Sequence, residues 1–202
     1  MLTLSGSTDK QVALLEPDSL LVVQNGSWNL YWSLANEDLK VEYIEEKIYI
    51  HSPASLRHEQ IFRILLVSIS KYNDEKNAGM VVGSRFPVVL PDGKRTEPDI
   101  LFLTHKAIME GNLTETFFEG HPTWIIEIVS PAYRDHDTVR KRATYRELGV
   151  GEYWIVDPEY KTVEVLNFQD REEVRKEIVR GGFITPRVVG LEDLTINVDS
   201  LF

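Results

Sequence analysis

Residues 123–131, TWIIEIVSP, constrain the fold more tightly than any other part of the chain. A strand with one wet face alternates apolar and polar residues, so this near-continuous apolar run reads as a β-strand covered on both faces. Covering both faces of a sheet takes helices or further strands on each side, which predicts a mixed α/β domain with a central sheet. One charged residue, Glu127, sits in the middle of the run. Alternation puts it on the face shared by Ile125 and Val129, with Trp124, Ile126 and Ile128 pointing the other way. A carboxylate there loses much of its hydration and must be compensated by protonation, by a lysine or arginine, or by a divalent cation shared with a second carboxylate.

The flanking sequence supplies partners for such a sheet. LKVEYIEEKIYI at 39–50 predicts a hairpin turning at Glu45 and Glu46. Ser52-Pro53 reads as a helix start, and Ile61, Phe62, Leu65, Leu66 and Ile69 recur at helical spacing to about Tyr72. The PDG turn at 91–93 predicts a second antiparallel pair, with Asp99, after Pro98, at the start of its second strand. Residues 104–120 read as variable and partly helical. A helix over 136–148, ended by Gly149, precedes the strand EYWIVDP, where Asp157-Pro158 marks the strand end. Further strands fall at 161–167 and 173–180, before a Gly181-Gly182 turn. Residues 1–38 form a weakly patterned lead-in whose Trp28 and Trp32 are expected to pack on the core. At 202 residues without repeats, the chain reads as one domain, with 39–202 as its main body.

Composition narrows the chemistry. The chain has no cysteine, which excludes disulfides, thiolate catalysis and iron–sulfur clusters, so any metal must sit on oxygen or imidazole. Neither a long apolar span nor a secretory leader is evident, which makes the cytoplasm the expected location, away from any membrane. The net charge of -10 disfavours nucleic-acid binding by global charge, yet residues 134–146 hold Arg134, Arg140, Lys141, Arg142 and Arg146 against only Asp135 and Asp137.

Asp99 could supply the second carboxylate if its strand pairs with that of Glu127. Asp137, Lys141 and Tyr145 recur every four residues and line one helical stripe, which could bring the Lys141 ammonium beside the two acids. His121 and His136 read as surface or capping residues. There is no His-Glu-x-x-His zinc pattern, and Ser130 lacks a nucleophile elbow. A two-carboxylate glycosidase is disfavoured by the apolar surroundings of Glu127.

The ordered set Pro98-Asp99, EIVSP at 127–131, Asp137-x-x-x-Lys141-x-x-x-Tyr145-x-x-x-Gly149-Val150 and EYWIVDP at 152–158 resembles the Uma-two family of restriction-endonuclease-like proteins, within the PD-(D/E)XK nuclease superfamily. The hairpin running into HSP, the helix with His58-Glu59 and the terminal Asp-Ser-Leu-Phe extend the likeness over residues 30–202. The resemblance implies a restriction-endonuclease-like fold and a DNA endonuclease that hydrolyses phosphodiester bonds with Mg²⁺ or Mn²⁺. It implies Asp99, Glu127, Lys141 and Glu59 as catalytic residues, a metal at Asp99, Glu127, Ile128 and Glu59, support from Asp137 and Tyr145, and a homodimer. The superfamily's lysine two residues after the second acid would fall at 129, where the chain has Val129, and Lys141 stands in for it. The alternative is a catalytically silent protein of the same fold that binds nucleic acid or a protein partner.

Overall fold

A computed structural model describes residues 20–35, 39–83, 86–90, 93–130, 134–147, 149–169 and 172–202. Residues 1–19 of the lead-in, Pro91 and Asp92 of the predicted turn, and Pro131 of EIVSP lie outside the described residues. In chain order the elements are β1 (Leu20–Val23), α1 (Trp28–Ala35), β2 (Val41–Ile44), β3 (Lys47–His51), α2 (Leu56–Lys76), β4 (Gly79–Gly83), β5 (Val88–Val89), β6 (Arg95–Thr96) and β7 (Ile100–Thr104). They continue with α3 (His105–Glu110), β8 (Asn112–Leu113), β9 (Phe118–Glu119), β10 (Trp124–Ile128), a π-helical segment (His136–Lys141), α4 (Arg142–Glu147), β11 (Glu152–Asp157), β12 (Thr162–Gln169), β13 (Glu172–Val179), β14 (Phe183–Ile184) and β15 (Ile196–Asn197).

The central sheet has the order β13-β12-β11-β10-β7-β4, with β10 and β11 parallel and the other neighbours antiparallel. Every residue of β10 is buried, as its apolar run requires. Trp124, Ile126 and Ile128 pack with Ile61, Leu65 and Ile69 of α2 on one face, while Ile125 and Val129 join Tyr145 and Tyr153 on the other. Ile126 lies opposite Ile100 in the β10–β7 register, and Asp99, the residue before β7, accepts the Ile128 amide at 2.8 Å, which brings it beside Glu127. A second sheet, β1-β3-β2-β6-β5-β9-β8, carries the predicted hairpin β2–β3. Glu45 and Glu46 both adopt positive φ, 52° and 58°, the backbone that a two-residue hairpin loop demands.

Three local expectations change. Helix α2 starts later than Ser52-Pro53: its cap is Ser55, whose side chain accepts the His58 amide at 3.2 Å, whereas the Ser52 hydroxyl points to the Pro53 carbonyl. The helix runs on to Lys76 because Asn77 takes the left-handed conformation, φ 51°, and donates its N–H to the Asn73 carbonyl. Trp28 and Trp32 remain 40% and 44% exposed and flank the Arg95 guanidinium at 4.9 and 4.5 Å; the buried aromatic of α1 is Tyr31 between them.

Gly79 opens β4 where the backbone of β7 comes close: a Cβ at this position would lie 2.0 Å from the Leu103 carbonyl oxygen. Backbone cannot yield there as a flexible side chain would. Gly79→Ala is therefore expected to destabilise the protein by about 1–3 kcal/mol, read as a lower urea midpoint at unchanged m-value.

Candidate active site

Three segments converge on one cluster. The hairpin contributes Lys40, Glu42 and His51. The Asp99–Glu127 pair comes from the central sheet, and the π-helical segment contributes His136, Asp137 and Lys141. Together with His58 of α2, Ile128 and Ser130, most of these side chains line a cavity of about 20 Å³, room for one or two water-sized groups. The hairpin supplies its share by alternation: Val41, Ile48 and Ile50 face a hydrophobic cluster with Tyr31 and Leu34, so Glu42 and Tyr49, directly opposite each other, face the other way with His51. That polar face is buried against the π-helical segment. π-helical turns are rare and recur at functional sites.

Lys141 is the centre of the cluster. Its ammonium, 1% exposed, lies 3.0 Å from Glu127 Oε1, 3.2 Å from Glu42 Oε1 and 3.4 Å from Asp137 Oδ1. Burial favours the neutral amine, but the three carboxylates hold the Lys141 pKa well above its usual value. Tyr145, one turn on, donates its hydroxyl to Glu127 Oε1 at 2.8 Å. The stripe of Asp137, Lys141 and Tyr145 expected from the sequence is thus present and buried, as is the convergence of Lys141 with Glu127.

Asp99 is saturated with donors. Lys40 Nζ reaches Oδ1 at 2.7 Å, while Oδ2 takes the Ile128 amide at 2.8 Å and His58 Nε2 at 3.2 Å. Burial disfavours its charge, yet Lys40 and His58 keep its pKa well below the ordinary carboxyl value. Glu42 is likewise held low against its burial, by Lys141 and by hydrogen bonds from His136 and His51. Glu127 behaves differently: burial raises it to about 7 against the pull of Lys141, helped by the nearby Asp99 charge.

Of the residues singled out from the sequence, Asp99, Glu127, Ile128, Asp137, Lys141 and Tyr145 all fall in or against this cluster. Glu59 does not line the cavity; its side chain is 57% exposed and sits 3.7 Å from His58 Nδ1. The helix position that reaches Asp99 is His58. His136 differs from its expected surface or capping role: it is buried, and its Nε2 lies 3.0 Å from Glu42 Oε2. The cause is the hairpin, which covers what would otherwise be an open helix face. His121 is exposed, as expected. Glu42, His51 and Lys40 escaped the sequence reading because charge alternating with apolar residues in a hairpin ordinarily marks a solvated face.

The basic stretch 134–146 is also largely engaged. Arg134 pairs with Asp157 and Glu159, Arg142 with Glu164 and Glu173, and Lys141 with the cluster, leaving Arg140 and Arg146 exposed.

Two measurements probe this electrostatic arrangement. Lys141→Met, which strands three buried carboxylates, is expected to cost roughly 3–5 kcal/mol in urea unfolding. The second concerns pH. Between about 4.5 and 7 only folded Glu127 holds its proton, so the stability that proton confers is complete below about 4.5 and disappears as pH rises through about 7. His51, pushed down to about 4 by burial, acts in the opposite sense but is common to wild type and variant. In EDTA, wild type should therefore lose on the order of 1–3 kcal/mol more than Glu127→Gln between pH 5 and 8. Parallel pH profiles would show that Glu127 titrates normally.

Comparison with known proteins places this geometry in context. The family Uma2, described as “Putative restriction endonuclease”, matches residues 28–199. A solved structure described as a “putative nuclease belonging to DUF820”, from Anabaena variabilis ATCC 29413, superposes with a TM-score of 0.68 at 21% identity, covering 80% of this chain and 89% of that one. The type IIG restriction endonuclease BpuSI gives a TM-score of 0.37 at 12% identity, over 69% of this chain and 14% of its own length. No curated protein sequence matches significantly. The likeness to the Anabaena structure shows a common restriction-endonuclease-like α/β fold, and the family match spans most of the chain: this protein belongs to the Uma2 family.

Proposed function

We propose that the protein is a metal-dependent endonuclease that hydrolyses phosphodiester bonds in DNA. The observation that carries this reading is the meeting of Asp99, immediately before β7, and Glu127 of the neighbouring strand β10 at one small cavity, with the Lys141 ammonium 3.0 Å from Glu127. The donor set suits Mg²⁺ or Mn²⁺, hard cations that prefer carboxylate and carbonyl oxygen. Charge suits it too. Glu42, Asp99, Glu127 and Asp137, when ionised, outnumber Lys40 and Lys141 by two, which a dication balances while the imidazoles are neutral. Asp99 and Glu127, with the main chain of Ile128 beside them, would hold the ion. When bound, it would polarise the scissile phosphate and acidify a water.

The chain's own groups do the rest. With its pKa raised, Lys141 remains an ammonium; it stabilises negative charge growing on the phosphate and does not serve as a base. Asp137 and Tyr145 position Lys141 and Glu127 respectively. Lys40, 17% exposed in its side chain, is the more accessible ammonium and is placed to receive a phosphate oxygen as it leaves Asp99. Since the exposed basic residues in 134–146 are few and the chain carries a charge of -10, binding should be weak and salt-sensitive. A homodimer would supply the two centres that cutting a duplex on both strands requires.

A second reading, a non-cutting protein of the same fold that binds nucleic acid or a protein partner, draws support from Asp99, whose two oxygens already take three donors within the protein. Incubation with supercoiled plasmid and Mg²⁺ or Mn²⁺ separates the two. Metal-dependent cutting is expected in wild type and at least 100-fold less in Asp99→Asn and Glu127→Gln, whereas equal nicking by all three proteins would overturn the endonuclease. Because an ion on Glu127 displaces its proton, Mn²⁺ affinity should rise up to about tenfold per pH unit below about 7 and level off above it, measured by calorimetry.

A further inference from the structure

We propose that Glu42, His51 and His136 form a second metal site, for a transition-metal dication such as Zn²⁺, distinct from the Asp99–Glu127 pair. Nε2 of His51 and Nε2 of His136 each lie 3.0 Å from Glu42 Oε2, and the three ligand atoms all fall within 4.8 Å of one another. Zinc binds imidazole nitrogen and carboxylate oxygen at about 2.0–2.2 Å, which separates neighbouring ligand atoms by about 3–3.5 Å. Both Glu–His edges already meet that spacing, and the two imidazole nitrogens lie within 4.8 Å of each other. Two imidazoles with one carboxylate suit zinc, cobalt, nickel or iron, whereas magnesium favours oxygen throughout.

The surroundings hold these groups in a ligating posture. Glu42 Oε1 is taken by the Glu97 amide at 3.1 Å and by Lys141 at 3.2 Å, which turns Oε2 toward the two rings. The Tyr49 ring lies against His136, centroids 4.2 Å apart, and fixes its plane. The His51 backbone N–H donates to the Lys40 carbonyl at 3.0 Å, which fixes the main chain that carries the ring. His136 is only 4% exposed, and its Nδ1 has no hydrogen-bond partner among the described residues. The Lys141 ammonium does not bar a cation, since Glu127 and Asp137 share its charge. An ion here would tie the β2–β3 hairpin to the π-helical segment. The proposal takes neither Asp99 nor Glu127 as a ligand, although His51 and His136 line the same cavity and Lys141 links Glu42 to Glu127.

The test is titration of the metal-free full-length protein with Zn²⁺ against a chromophoric chelator, together with Co²⁺ absorption. One equivalent of Zn²⁺ should bind, with Mg²⁺ in millimolar excess unable to displace it, and Co²⁺ should give visible ligand-field bands. His51→Gln and His136→Gln should each lower Zn²⁺ affinity at least tenfold and weaken the bands, while Asp99→Asn/Glu127→Gln retains both. His51 lies nearer the surface than His136, so if His136→Gln fails to fold by circular dichroism, His51→Gln carries the comparison. Unchanged Zn²⁺ affinity in the folded histidine variants would overturn the proposal, as would loss of Zn²⁺ binding in Asp99→Asn/Glu127→Gln alone.

Discussion

The burial of one ammonium among three carboxylates organises the molecule. Lys141 comes from the π-helical segment, Glu42 from the hairpin, Glu127 from the central strand and Asp137 from one turn earlier than the lysine. None of these charges could be desolvated alone at tolerable cost, so each element is held where the others need it. The two sheets are joined by more than apolar packing at this point. A polar contact of this kind is a demanding geometric condition, and it specifies how the hairpin must sit over the central sheet.

Much of that arrangement was legible in the sequence. The continuous apolar run around Glu127 identified a strand covered on both faces, and β10 is such a strand. The four-residue spacing of Asp137, Lys141 and Tyr145 identified their common stripe. Alternation of apolar and charged residues on both sides of Glu45 and Glu46 located the hairpin, although two glutamates are unusual occupants of positive φ. Hidden from the sequence was everything that depends on which surface gets covered. Glu42 and His51 alternate with apolar residues as any half-exposed hairpin would, and only tertiary packing buries them. His136 sits between two aspartates in a pattern typical of an open helix start. Glu59 drew attention as an acid on the right helix, but the helical phase aims its neighbour His58 at Asp99 instead.

The same packing changes the meaning of the basic stretch. Five positive residues within 134–146 suggest a surface for a polyanion, yet Arg134, Lys141 and Arg142 face acidic partners inside the protein. Local charge counted along a chain measures attraction to an outside partner only where the fold leaves those charges unpaired. Of the five, only Arg140 and Arg146 are exposed, and the cations that line the cavity are Lys141 and, from outside the stretch, Lys40.

The π-helical turn has one more consequence. Each residue of an α-helix advances about 100° around the axis and a π-helical turn takes up one residue more than an α-helical one, so losing a residue from 136–141 would return the segment to α-helical winding and turn Asp137 relative to Lys141. The apolar pattern of α4 and the overall composition would barely register the change. Within this scaffold, a one-codon gain or loss would change the mutual alignment of several polar groups in a single step, which point substitution at any one of these positions does not do.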